Sequence, residues 1–124
     1  MNLVKEFKRV DEFGKANGTC LQGYIQFPPK ALVMIFGEPD ESDGYKVSGE
    51  YVFEDDNGNV ITLYDWKSTY LYDSGPSPQD FWNIEQMYNF HIGGHNKDDV
   101  KSFQVFLYNE ADKYRNKVMN EQKD

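Results

Sequence analysis

The chain has 124 residues, 13 basic against 21 acidic side chains, a net charge of -8 and one cysteine. That length suits a single compact domain. The lone Cys20 excludes a disulfide within the chain, and the negative charge opposes direct binding to nucleic acid or to an anionic membrane. No window approaches the ~20 apolar residues that span a bilayer, and MNLVKEFKRV lacks the apolar run of a signal peptide, so a cytoplasmic protein is the expectation.

Residues 1–17 place Leu3, Val4, Phe7, Val10 and Phe13 near helical spacing, which predicts a short helix or an irregular arm. "TCLQGYIQF", 19–27, carries β-formers in rough alternation and ends at Pro28-Pro29, which reads as a strand. In "PPKALVMIFGEP", 28–39, proline opens the run, Leu32, Ile35 and Phe36 share a face, and Gly37 with Pro39 stop it. A helix of about two to three turns follows. The runs 45–54 and 60–66 flank Asp55-Asp56-Asn57-Gly58-Asn59. Asn-Gly accepts the positive φ angles of a tight turn, so these runs form a β-hairpin.

Residues 68–86 contain Ser-Gly-Pro-Ser-Pro and no sustained period, a long loop with one helical turn around Pro78–Trp82. "MYNFHIGG", 87–94, alternates again: Tyr88, Phe90 and Ile92 take one face and His91 the other. Asn96 with Asp99 resembles an N-cap and its acidic N3 residue. Val100, Phe103, Leu107, Ala111, Tyr114 and Val118 then recur at helical steps, before a tail, 119–124, that should fray. The prediction is one α+β domain over 1–124: an antiparallel sheet of about four strands with a short helix and a long C-terminal helix on one face.

No catalytic constellation stands out. His91 and His95 suit zinc on a helix, but Gly93-Gly94 lie between them and no third ligand is signalled. Cys20 lacks an orienting group for a dyad with either histidine. No catalytic residue, metal ligand or cofactor is therefore assigned. An anion site is the stronger candidate: N–H groups at Gly93, Gly94 and His95 before the last helix would cradle a phosphate. Lys46 and Lys67 would supply charge, and Tyr64 or Trp66 a stacking surface for a base. Against it stands the simpler reading that the glycines allow a tight strand-to-helix turn capped by Asn96. "FGEP" reads as a helix stop with Gly37 left-handed, and in "YDWK" Asp65 would pair with His91 or Lys46.

Aromatic residues make up 16% of the chain, with nine Tyr and nine Phe, more rings than one small core usually needs. Some should lie on a binding or oligomer surface. The candidates for partner contact are Tyr70, Tyr72, Phe81 and Trp82 of the long loop, with the acidic edge Asp40, Glu41 and Asp43. A homodimer is compatible with the same surplus.

The blocks "NGTCLQGYI", "FGEPDESDGYK", "YDWK" and "FHIGGHN" occur in that order. In them the chain resembles a family of small, uncharacterised tailed-phage and prophage proteins with similar Phe-Gly-Glu-Pro, Asp-Gly-Tyr-Lys, Tyr-(Asn/Asp)-Trp-Lys and His-(Ile/Val)-Gly-Gly motifs, over about residues 17–110. The resemblance implies an accessory protein of the host cytoplasm that blunts a host defence system, in the manner of anti-CRISPR proteins, by binding a host protein. Sequestering a nucleotide-derived signal is the alternative, and a small hydrolase comes third.

Overall fold

In the computed structural model, which describes residues 5–10, 19–40, 47–66, 69 and 75–121, alternating apolar residues fold five segments into one antiparallel sheet. These are β1 (Phe7–Val10), β2 (Cys20–Phe27), β3 (Glu50–Asp55), β4 (Val60–Tyr64) and β5 (Tyr88–Gly94), in the spatial order β1-β3-β4-β5-β2. The helices are α1 (Pro29–Phe36), α2 (Pro78–Phe81) and α3 (Asp98–Glu121). The predicted α+β class holds, with a fifth strand where an arm or helix was expected.

That fifth strand is β1, paired from Phe7↔Asp55 to Val10↔Val52. Its alternation is disguised because the second inward residue is an arginine. Phe7 enters the core, with its ring centroid 5.4 Å from those of both Phe103 and Phe106. Arg9 donates from Nη1 to Phe36 O at 2.8 Å, lies 4.6 Å from the Tyr51 ring centroid and pairs with Asp40 at 3.2 Å. Charge is tolerated there because carbonyl, carboxylate and π-face all receive it.

The core occupies one side of the sheet. Ile25, Phe27, Tyr51, Phe53, Ile61, Leu63, Phe90 and Ile92 meet Leu32 of α1 and Phe103, Phe106 and Leu107 of α3, all buried. Phe53 meets the Phe103 ring at 5.0 Å and the Phe36 ring at 5.1 Å. Much of the aromatic surplus is therefore core. α1 begins with proline in its first turn and ends at Gly37, whose φ of 90° few other residues would adopt; its N–H reaches Val33 O at 2.8 Å. The Tyr51 hydroxyl donates to Gly37 O at 2.7 Å.

Helix α3 starts where predicted, with Asn96 Oδ1 accepting Asp98 N–H at 2.8 Å, and stays helical to Glu121, past the expected start of fraying. Residues 122–124 lie outside the described residues. Gln104 Nε2 donates to Tyr24 O at 2.7 Å and the Tyr108 hydroxyl to Gln26 O at 3.4 Å. These contacts cover carbonyls of edge strand β2 that another chain would otherwise pair with.

The hairpin turn, with Gly58 at φ 84°, is organised by Asp55. Its carboxylate accepts N–H from Asn57 at 2.9 Å and from Asn59 at 2.8 Å, and the Asn59 amide at 2.9 Å. Lys5 bridges it at 2.8 Å and reaches Asp99 of α3 at 3.2 Å, so one ammonium ties β1, the hairpin and α3 together. Burial is the largest single influence on Asp55 and pushes its carboxyl up, but Lys5, Asn59 and Asn57 together outweigh it and hold it at about 2. A carboxyl depressed on folding contributes stability that is complete above its ordinary value of 3.8 and is lost as pH falls toward about 2. Asp55→Asn should lower the unfolding free energy by ~1–3 kcal/mol at neutral pH and flatten that acid limb. Urea unfolding over a pH series checks both; an unchanged acid limb would contradict the assignment.

Candidate functional site

All three helices contribute to the core on one side of the sheet, and strand alternation sends a second set of side chains to the other. Across that second side the register aligns Glu50 of β3, Tyr64 of β4, His91 of β5 and Tyr24 of β2 in one row. His91 is its centre. Tyr24 meets the imidazole edge-on, at 5.0 Å between ring centroids and 86°. The Tyr64 centroid lies at 5.6 Å, and Trp66, just past the end of β4, stacks on the imidazole at 5.8 Å and 19°. Tyr24 is 48% exposed, Trp66 40% and neighbouring Leu21 44%. Val52 and Thr62 on the same side are buried, which confines the open patch to the β2-β5-β4 end.

The next row explains the glycines. Gly93 sits between Leu21 and Thr62, and Gly94 between Cys20 and Ile61. A Cβ on Gly93 would overlap Thr62 Oγ1 and touch Tyr64 Cε1 at 3.5 Å; one on Gly94 would lie 3.3 Å from Ile61 Cδ1. Neither glycine has a positive φ. Close approach of side chains across the strands, and not a turn, requires a residue without Cβ at 93. This corrects both expectations for "GGHN". With ladder partners on both sides, Gly93 and Gly94 spend their backbone groups on the sheet and form neither a phosphate cradle nor a turn; His95, beyond the strand, is exposed.

Asp65 lies between this patch and the interior. It is fully buried and accepts Ser48 N–H at 2.8 Å, Ser48 Oγ–H at 2.8 Å and Gly49 N–H at 3.1 Å. These donors stand where a pairing with His91 was expected, and the other expected partner, Lys46, lies outside the described residues. Burial pushes its carboxyl up, and these neutral donors only partly offset that. Burial also lowers His91 below its ordinary value, while the Asp65 charge pulls it the other way. Burial raises the Tyr64 phenol.

Of the residues expected to touch a partner, Phe81 and Trp82 are 1% and 6% exposed. They do not form an exposed contact, because α2 turns both rings inward: Phe81 packs on Trp82 at 5.0 Å and on Tyr88 at 4.9 Å. Asp40 is engaged by Arg9 and by a β-bridge to Glu50, so it does not stand as a free acidic edge. Tyr70, Tyr72, Glu41, Asp43, Lys46 and Lys67 lie outside the described residues. Tyr64 and Trp66 do come together, joined by Tyr24 and His91, which sequence reasoning missed. His91 was legible from its place opposite Phe90 and Ile92. Tyr24 was hidden by a register shift between Leu21 and Gly23 that breaks the alternation of β2.

Among the described residues no three His, Cys, Asp or Glu side chains converge as metal ligands, and no helix is long and apolar enough to cross a membrane. Comparison of the chain with protein-family models and with curated proteins finds no match.

Two results test this geometry. Gly93→Ala should cost ~1–3 kcal/mol through overpacking, and Thr62→Ala in the same chain should recover part of it; strictly additive losses would contradict the contact. In an NMR titration His91 should titrate below 6.5, and Asp65→Asn should lower its midpoint further. Since the folded value is depressed, His91's contribution to stability is complete above 6.5 and is lost as pH falls through the lowered value. An upward shift in the variant would contradict the electrostatics.

Proposed function

We propose that the protein acts by binding, without catalysis: a phage-type accessory factor that engages a host protein and inhibits a host defence system. The observation that carries this reading is the half-exposed cluster of Tyr24 and Trp66 around His91 on the side of the sheet opposite the helices. Rings held by strands supply large contact area at low entropic cost, the property that makes aromatic residues dominate interface energetics. The net charge of -8 favours a partner with a basic surface, by steering and by rejecting acidic competitors. The phage context, and with it the host cytoplasm as the place of action, rests on the resemblance of the four ordered motifs alone.

A second reading, sequestration of a nucleotide-derived signal, draws on one feature of the same patch. Trp66 stacked on His91 at 19° offers a flat π-surface to a base.

Capture of partners from host lysate separates the readings. With both rings as contact anchors, Tyr24→Ala and Trp66→Ala should each weaken capture roughly thirtyfold, about 2 kcal/mol. Val105→Ala, on exposed α3 surface, should leave it intact. Undiminished capture by the double aromatic variant would sink the site. A rise in melting temperature with a cyclic nucleotide would favour the second reading, because a ligand stabilises by RT ln(1 + [L]/Kd).

A further inference from the structure

A cavity of about 390 Å³ opens on the helix side of the sheet, between the end of α1, the segment before β3, and α2. Its apolar walls are Val33, Pro39 and Pro78, and Trp82 lies against it. The indole N–H of Trp82, a residue 6% exposed, has no acceptor among the described residues. A buried donor left unpaired costs free energy and calls for an explanation. The indole is not free to swing away. It stacks on Phe90 at 5.7 Å and 25°, meets Tyr51 at 5.9 Å and 72°, and has its Cζ2 edge, next to the nitrogen, turned to Gly49 and Pro39. A Cβ on Gly49 would come within 2.8 Å of Cζ2 and 2.9 Å of Pro39 Cβ, so position 49 admits only glycine if the ring keeps this seat.

The lining contributes one further polar group of consequence. Glu38 is exposed at the cavity, and among the described residues its carboxylate makes no hydrogen bond or ion pair. Among the described residues no lysine or arginine lines the space.

We infer that this cavity binds an amino-substituted heteroaromatic ring of the aminopurine or aminopyrimidine type, whose ring nitrogen or carbonyl accepts from Trp82 Nε1–H and whose amino group donates to Glu38. The size of such a ring suits a pocket of this volume, whose lining includes Pro39 and Pro78. The indole nitrogen is closed from solvent. A ligand therefore reaches it only with local movement of the lining, to which the exposed Gln79 and Asn83 belong. A free nucleoside binds at least as well as its monophosphate, because Glu38 repels the added charge.

The chain has two tryptophans, hence two indole signals in a nitrogen-proton correlation spectrum, which Trp66→Phe assigns. On titration with adenosine or cytidine to millimolar concentration, the Trp82 indole proton should move downfield while that of Trp66 stays. Glu38→Gln, a surface change that leaves the fold intact, should weaken binding about tenfold, as expected for a hydrogen bond to a charged group. Three results would overturn the inference: no movement of the Trp82 signal with either nucleoside, movement of Trp66 alone, or equal binding by Glu38→Gln. A long-lived water as the indole proton's only partner would overturn it as well.

Discussion

One buried carboxylate holds together the end of the molecule that carries the candidate site. Asp65 satisfies the backbone N–H groups of Ser48 and Gly49 and the Ser48 hydroxyl, where buried donors would otherwise go unpaired. In doing so it fixes the path of the chain into β3 and seats Gly49 against Pro39 and Trp82, which builds one wall of the cavity. The next residue, Trp66, emerges on the opposite side of the sheet and stacks on His91. The aromatic patch and the cavity are thus two consequences of one anchored strand end.

The hairpin carries a second buried acid, Asp55, and the two respond oppositely to the fold. Burial raises both, but Asp55 has the Lys5 ammonium beside it and ends at about 2, whereas the donors to Asp65 are neutral and leave its carboxyl raised. At neutral pH ionised Asp55 therefore adds stability, while ionisation of Asp65 costs some. The acid at the turn serves the fold. The acid at the other end, raised by burial, ties the segment before β3 to the end of β4.

Long local signals survived folding: proline and Gly37 bound α1, Asn57-Gly58 makes the hairpin turn, and the three- and four-residue apolar steps make α3. What sequence alone hid depended on partners distant in the chain. β1 reads as helix because Val4, Phe7 and Val10 are three apart and Arg9 interrupts the apolar alternation; only β3, the Tyr51 ring and Asp40 make that arginine an inward residue. Gly93 and Gly94 look like a turn until Thr62 and Ile61 are placed across from them. Phe81 and Trp82, in a stretch rich in serine and proline, look like surface rings, and it is Tyr51, Tyr88 and Phe90 that draw them inward. The same chemistry, an aromatic ring, serves core and exposed patch alike, and strand phase decides which.

The claim that the open end of the sheet is the binding face can be tested without altering a residue. Hydrogen exchange on the protein alone and with its captured partner should show added protection in 20–24, 64–66 and 88–93, with the second half of α3 unchanged. Protection confined to α3, with those strands exchanging as in the free protein, would contradict it.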